Sequence, residues 1–224
     1  MSAETRSKRA VLLHGLGRSA RSMRLVEHAL AEREYDVFNV GYPSRTADIE
    51  TLATDVARQV REWATERRLD FVTHSLGGIL LRVAIDRGFL PLEQIGRVVM
   101  LGPPNGGSEL ADVLPRIPVF GWIYRQCTGP AGLQLGTRQN GVPRRLPPVS
   151  FDLGVIAGSR SYNPLFSAIL GDANDGKVRV EQARVEGMRD FLVVPHWHPL
   201  LMIAPTVVSQ IVHYLEAGSF RRGQ

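Results

Sequence analysis

Short apolar runs alternate with segments of helical periodicity along most of this chain. Such alternation is typical of βαβ units, in which parallel strands form one sheet and the connecting helices cover it. The predicted strands are Ala10–Leu13, Tyr35–Val40, Phe71–Thr73, Arg97–Leu101, Asp152–Ala157 and Asp190–Val194. A length of 224 residues fits one domain. We therefore expect a single α/β domain over residues 1–224, with about six mostly parallel strands flanked by helices.

Two connecting segments have an especially clear helical pattern. Between the second and third strands, apolar residues recur every three or four positions and predict one buried helix face, with Thr46 as the N-cap. These residues are Ile49, Leu52, Ala53, Val56, Val60 and Trp63. The last predicted helix has its apolar face between Val207 and Leu215, and Gly218 stands where a left-handed residue would end it.

The stretch 102–150 is rich in Pro and Gly and is longer than the usual connection between neighbouring parallel strands. It includes the apolar and aromatic segment 117–124. Two interpretations remain open for this segment: a structural flap that packs on the core, or a lid that forms an acyl-binding wall over a site. The second interpretation predicts that Phe120, Trp122 and Tyr124 bind the substrate.

The composition argues against several classes of function. The net charge is +5, but the cationic residues are scattered along the chain with acidic residues between them. We therefore expect no nucleic-acid binding, whereas weak contact with an anionic membrane surface stays open. The single Cys127 excludes an intrachain disulfide. The apolar run 11–13 is too short for a signal peptide or a membrane span, which predicts a cytoplasmic location.

Residues 71–78 have the pattern of a strand, a sharp turn at Ser75 and a following helix. A Ser on a tight strand-to-helix turn holds its hydroxyl clear of the sheet, and the close approach of backbone atoms requires small neighbours. The positive end of the helix points at the same place, where backbone N–H groups can bind an oxyanion. This pattern predicts that Ser75 is a nucleophile.

This segment resembles the Gly-x-Ser-x-Gly nucleophile elbow of α/β-hydrolases, with Thr73 at the first glycine position. The bulkier Thr requires the turn to open slightly or its side chain to point away from the neighbouring strand. The His14-Gly15 pair after the first predicted strand is similar to the oxyanion-hole segment of lipases. The resemblance implies that the backbone N–H groups of Leu16 and Leu76 form the oxyanion hole.

A Ser hydroxyl needs a base, and in this fold the acid and the His follow the Ser along the chain in that order. Residues 195–202 offer two histidines. Resemblance to lipases, in which an apolar pair and a Met follow the catalytic His, implies His198, with His196 as a supporting or surface residue. A zinc site at this His-x-His pair would need a third ligand, and neither Cys127 nor His213 has suitable spacing. We expect no metal site.

The acid is expected in the segment 171–178, which follows the fifth predicted strand and a turn at residues 162–164. Its Asn-Asp-Gly-x-Val pattern is similar to the setting of the triad acid in many bacterial lipases and esterases, which implies Asp175. Such a carboxylate holds the imidazole in one tautomer and stabilises its charged form. Asp172 remains the alternative.

Together these motifs resemble compact bacterial α/β-hydrolases of lipase or esterase type, over residues 11–215. The resemblance implies a minimal α/β-hydrolase fold without the two leading antiparallel strands of larger relatives, with 102–150 as a lid-like insertion.

The resemblance also implies an activity. A Ser-Asp-His triad would cleave carboxylic esters, either small molecules or lipid-like ones, through an acyl-enzyme and without a cofactor. Acyl transfer or thioester hydrolysis would use the same triad, and a binding protein without turnover is a third alternative. The sequence shows no evident charged pocket, which favours apolar acyl chains, and it leaves the oligomeric state open.

Overall fold

The computed structural model of the protein describes residues 8–64 and 68–222. Six strands form one sheet: β1 (Lys8–Leu13), β2 (Tyr35–Val40), β3 (Leu69–His74), β4 (Ile95–Leu101), β5 (Leu153–Gly158) and β6 (Asp190–Val194). The strand order is β2-β1-β3-β4-β5-β6, and every neighbouring pair is parallel. The predicted six-stranded sheet is therefore confirmed: β1, β3 and β4 are two or three residues longer than predicted, β2 and β6 match, and β5 is shifted by one residue.

Helices cover both faces of the sheet, as parallel strands require. One face packs against α1 (Arg24–Ala31) and α8 (Pro205–Ala217), and the other against α2 (Ile49–Trp63) and α3 (Leu76–Asp86). The side chains of β1 alternate between these two layers. Leu12 belongs to the α1 and α8 layer, whereas Leu13 belongs to the α2 and α3 layer. The sheet is thus buried on both sides and gives a rigid base to the loops at its carboxyl edge.

The helix ends agree with the sequence pattern in one case and differ in another. Gly218 ends α8 in the left-handed conformation (φ 77°), as expected. The N-cap of α2 is Asp48 and not Thr46, because the Asp48 carboxylate accepts a hydrogen bond of 2.8 Å from the Thr51 N–H. A carboxylate at this end also interacts favourably with the helix dipole, which a Thr hydroxyl does not do.

The stretch 102–150 is largely helical and contains α4 (Glu109–Val113), α5 (Pro118–Leu133) and α6 (Val142–Arg145). The long helix α5 is interrupted at Gly129, which has φ 62° and lies against the backbone of Arg45. The turn predicted at 162–164 instead begins a helix, α7 (Pro164–Leu170), which the Asn163 side chain caps. Within residues 8–64 and 68–222, no helix is long and apolar enough to cross a membrane.

Candidate active site

Ser75 lies between the end of β3 and the first residue of α3, with a backbone φ of 53° and ψ of −119°. A non-glycine residue in such a conformation is strained and needs support from its surroundings. The Ser75 N–H donates to the carbonyl of Leu101 at 2.8 Å, and the Ser75 carbonyl accepts from the Gly78 N–H at 3.0 Å. The local geometry is therefore that of a nucleophile elbow, in which the Ser projects from a sharp strand-to-helix turn.

Two glycines after Ser75 allow this turn to pack against its neighbours. A Cβ at Gly77 would lie 2.6 Å from the Leu13 carbonyl oxygen, so no side chain fits there. A Cβ at Gly78 would lie 3.1 Å from Oγ1 of Thr73. The absent side chain of Gly78 thus leaves room for the buried Thr73 side chain, which explains how the turn accepts Thr at the first glycine position.

We expect Gly77→Ala to lower the free energy of unfolding by about 1–3 kcal/mol, because the added methyl forces β1 and α3 apart. The matched control is Gly41→Ala, where an added Cβ would meet no atom within 4 Å. This control should be neutral or slightly stabilising. Urea unfolding of both variants tests the prediction, and equal stabilities would contradict the close packing at the turn.

The acid and base candidates form a buried pair at the carboxyl ends of β5 and β6. His198 Nδ1 lies 2.6 Å from Oδ2 of Asp175, and both side chains are almost fully buried. The other carboxylate oxygen accepts the backbone N–H groups of Lys177 at 3.0 Å and Val178 at 2.8 Å. The backbone N–H of His198 also donates to the backbone carbonyl of Asp175 at 2.9 Å. Asp175 is therefore fixed so that one oxygen faces the imidazole and favours the tautomer protonated on Nδ1.

Two glycines that the sequence analysis did not single out make space for this pair. Gly102 follows β4 with φ 52°, and a Cβ there would lie 2.9 Å from His198 Nδ1 and 3.0 Å from Asp175 Oδ2. A Cβ at Gly158, the last residue of β5, would lie 2.8 Å from the Asp175 Cβ. The signal available in the sequence was a glycine at or just after the end of a predicted strand. A larger side chain there would occupy the space at the carboxyl edge of the sheet that the acid and the base need.

The two alternative residues lie elsewhere. His196 Nε2 is 3.0 Å from the hydroxyl of Thr206 on α8. Asp172 is 91% exposed at its side chain and lies 3.8 Å from Arg179. The structure thus pairs His198 with Asp175 and leaves both alternatives out of the pair.

Ser75 and His198 line the same cavity, which has a volume of about 370 Å³. The described residues show no hydrogen bond between these two side chains. A triad would require this hydrogen bond, and a rotation of the Ser75 side chain or the arrival of a substrate would be needed to form it.

The two predicted oxyanion-hole residues flank Ser75. Leu76 is the first residue of α3, so its N–H is among those free at the helix N-terminus. Leu16 lines the cavity in the loop after β1. A Cβ at the preceding Gly15 would lie only 3.2 Å from the Ser75 Cβ, so this loop packs directly on the elbow. Both backbone segments are therefore near the Ser75 side chain.

The three aromatic residues predicted to bind substrate differ in position. Tyr124 lines the cavity, and its hydroxyl donates to the Gly132 carbonyl at 3.3 Å. Phe120 and Trp122 do not line it and are 47% and 66% exposed. On a helix, Trp122 falls on the side opposite to Tyr124. Phe120 falls on the same side as Tyr124 but lies one turn closer to the start of α5. Of the three, the structure therefore brings only Tyr124 to this cavity, and its contact with a substrate stays a prediction.

Two further histidines are buried around the elbow. His74 Nε2 lies 3.2 Å from the His198 carbonyl oxygen, and the two rings are 4.7 Å apart. Burial, and then the nearby His198, lower the pKa of His74 well below its usual range. His14 stacks on Tyr42 at 4.0 Å, and burial lowers its pKa as well. Burial therefore favours the neutral form of both rings in the folded protein.

These histidines predict an acid-sensitive stability. In the unfolded chain they bind protons below about pH 6.5, whereas the folded protein resists their protonation. The free energy of unfolding should fall as pH decreases from 7.5 to 5, by up to about 1.4 kcal/mol per pH unit for each histidine. Urea unfolding across this range should show a weaker slope for His74→Gln. The control His28→Gln changes a histidine side chain that is 75% exposed and should keep the wild-type slope.

The cavity also contains charge, so the expectation of an uncharged pocket is wrong. Arg18 and Lys177 line it together with Ser75 and His198. Arg18 belongs to the loop after β1, and Lys177 follows Asp175 by two residues. No local sequence pattern indicates that they are close, because only the sheet order brings these two loops together.

A family model described as a domain of unknown function (DUF7379) matches residues 2–115. The sequence has no significant match among curated proteins. Among solved structures, the propeptide form of the Bacillus licheniformis lipase BlEst2 aligns with a TM-score of 0.75 and 19% identity. That alignment covers 100% of this chain and 53% of the lipase, so this chain spans about half of its length.

Two further structures have similar folds. Phospholipase PlaB from Legionella pneumophila aligns with a TM-score of 0.69 and 17% identity, over 95% of this chain and 60% of PlaB. The RedJ thioesterase from the prodiginine pathway of Streptomyces coelicolor aligns with a TM-score of 0.57 and 16% identity, over 96% and 89%. With the strand order above, these similarities show that the chain has the α/β-hydrolase fold, as the sequence predicted.

Proposed function

The chain belongs to the family described as a domain of unknown function (DUF7379), and we propose that this member is a serine hydrolase that cleaves carboxylic esters through an acyl-enzyme. The observation that carries the proposal is the buried Asp175–His198 pair, whose imidazole shares a cavity with Ser75 at the strained elbow. The strained backbone at Ser75, the buried Asp175 carboxylate and the buried His198 imidazole each cost folding free energy. Their combination around the Ser75 hydroxyl favours a catalytic site.

In the proposed mechanism, Oγ of Ser75 attacks the ester carbonyl while His198 Nε2 accepts its proton. The backbone N–H groups of Leu16 and Leu76 bind the oxyanion of the tetrahedral intermediate. His198 then gives the proton to the departing alcohol, and water attacks the acyl-enzyme with His198 again as the base. Asp175 stays ionised and stabilises the imidazolium in both steps.

The cavity walls support an acyl group as the bound portion. Apolar side chains from several elements line it, and α5 contributes one wall through Tyr124, Cys127 and Thr128. The further apolar residues of this lining are Leu16, Pro104, Leu110, Leu135, Val178 and Pro199. We propose that α5, within the stretch 102–150, acts as the acyl-binding wall. The structural neighbours include a lipase, a phospholipase and a thioesterase, which is consistent with acyl chemistry of this general kind.

A fluorophosphonate probe tests the proposal, because it forms a stable bond only with an activated Ser. Mass spectrometry should locate the label on Ser75, and nitrophenyl esters of graded acyl length should be hydrolysed. Absence of label from folded protein would contradict the proposal and favour a binding protein on this fold. Labelling with hydrolysis that is slow, but accelerated by an added alcohol or amine acceptor, would identify acyl transfer instead.

A further inference from the structure

The proposed mechanism leaves two cations of the cavity without a role. Arg18 lies in the loop after β1, and Lys177 lies in the segment after β5. Both residues line the cavity that contains Ser75. No Asp or Glu is among the described residues of this lining. Within residues 8–64 and 68–222, neither cation forms a salt bridge. The cavity therefore offers two positive charges without a carboxylate partner.

The backbone around both cations is fixed by hydrogen bonds. The Lys177 N–H donates to Asp175 Oδ1 at 3.0 Å, and its carbonyl accepts the Ser108 hydroxyl at 2.7 Å. The Arg18 N–H donates to the Gly15 carbonyl at 3.2 Å, next to the elbow. Both side chains thus start from the same rigid segments that hold the acid and the predicted oxyanion hole.

The two charges act on each other. The Lys177 ammonium lies over the Phe166 ring, 4.9 Å from its centroid, although the residue as a whole remains exposed. Burial of the ammonium and the positive charge of Arg18 lower the pKa of Lys177, while the negative charge of Asp175 opposes this. Like charges that share a partly apolar cavity repel, and a bound anion relieves the repulsion.

We propose that the preferred substrates are esters that carry an anionic group, a carboxylate or a phosphate, which Arg18 and Lys177 bind while the ester carbonyl lies at Ser75. This inference rests on the proposed function and names its substrate class. The reaction remains hydrolysis, in which water and the ester give an acid and an alcohol. The negative charge belongs either to the acyl portion or to the alcohol portion of the ester. In both cases Arg18 and Lys177 bind an anion that lies a few atoms from the ester carbonyl.

The first arm of the test places the charge on the acyl side. It compares 4-nitrophenyl hemiglutarate with its neutral methyl ester by the ratio of their kcat/KM values. We expect the wild type to favour the anionic ester, and Arg18→Gln and Lys177→Gln each to lower the ratio about tenfold. Arg144→Gln, an exposed arginine on α6, is the control and should keep the wild-type ratio.

The second arm places the charge on the alcohol side and compares 3-carboxy-4-nitrophenyl butyrate with 4-nitrophenyl butyrate in the same four proteins. A ratio that falls in one arm alone assigns the anion to that side of the ester. Raising the ionic strength from about 0.1 M to 1 M should reduce the preference, because the Debye length shortens from about 10 Å to 3 Å. Ratios that stay at the wild-type value in both arms would overturn the inference.

A binding measurement separates this inference from the proposed function. Free glutarate should slow fluorophosphonate labelling of Ser75 in the wild type, and the Arg18→Gln/Lys177→Gln double variant should lose this protection. Labelling without any protection by glutarate, together with equal use of both esters, would overturn the anion preference and leave the serine hydrolase intact. Absence of labelling would instead contradict the hydrolase proposal itself.

Discussion

Ser75→Ala is expected to reduce ester turnover by about 10⁴- to 10⁶-fold, the loss that follows removal of a triad nucleophile. The free energy of unfolding should change little, because Ala keeps the Cβ and Ser75 forms its hydrogen bonds to Leu101 and Gly78 through the backbone. The measurement is kcat/KM for a nitrophenyl ester beside urea unfolding. Ser209→Ala, an exposed serine on α8, is the matched control and should retain full activity.

The result that would contradict the assignment is a folded Ser75→Ala protein with more than a tenth of the wild-type turnover. Such a protein would place the reacting nucleophile elsewhere in the cavity. The strained backbone at Ser75 would then need another explanation, since a φ of 53° has a cost for any residue with a Cβ.

His198→Ala is expected to be nearly inactive, whereas His196→Ala should remain within about tenfold of the wild type, an effect of about 1.4 kcal/mol or less. The contrast follows from their partners: His198 is buried against Asp175, but His196 contacts the Thr206 hydroxyl at a more accessible position. Steady-state kinetics of both variants on one ester provide the comparison. The opposite order of activities would mean that the base has been misassigned.

A second variant, His198→Gln, keeps the test informative if His198→Ala does not fold. His198→Ala leaves one oxygen of the buried Asp175 carboxylate without its partner, which costs stability. His198→Gln keeps an N–H that can donate to Asp175 but supplies no base, so it should fold and still be inactive. An active His198→Gln protein would exclude proton transfer by the imidazole.

Local sequence patterns were enough to predict the sheet, the elbow and the order of the chemical groups along the chain. Strand positions follow from apolar runs, and the turn at Ser75 follows from small residues between a strand and a helix, because both patterns reflect local backbone geometry. Thr73 was the one departure from the elbow pattern. The structure accommodates its side chain beside Gly78, a position that the spacing alone did not identify.

Which residues meet at the carboxyl edge of the sheet depends instead on how the distant parts of the chain pack together. The resemblance to lipases implied His198 and not His196, but only the fold brings the His198 ring to 2.6 Å from Asp175. The rotation of α5 places Tyr124 in the cavity and Trp122 in solvent. Arg18 and Lys177 become neighbours because β1 and β5 lie in one sheet. Contacts between distant loops depend on strand order and helix rotation, and these are set by the packing of the whole core, not by local periodicity.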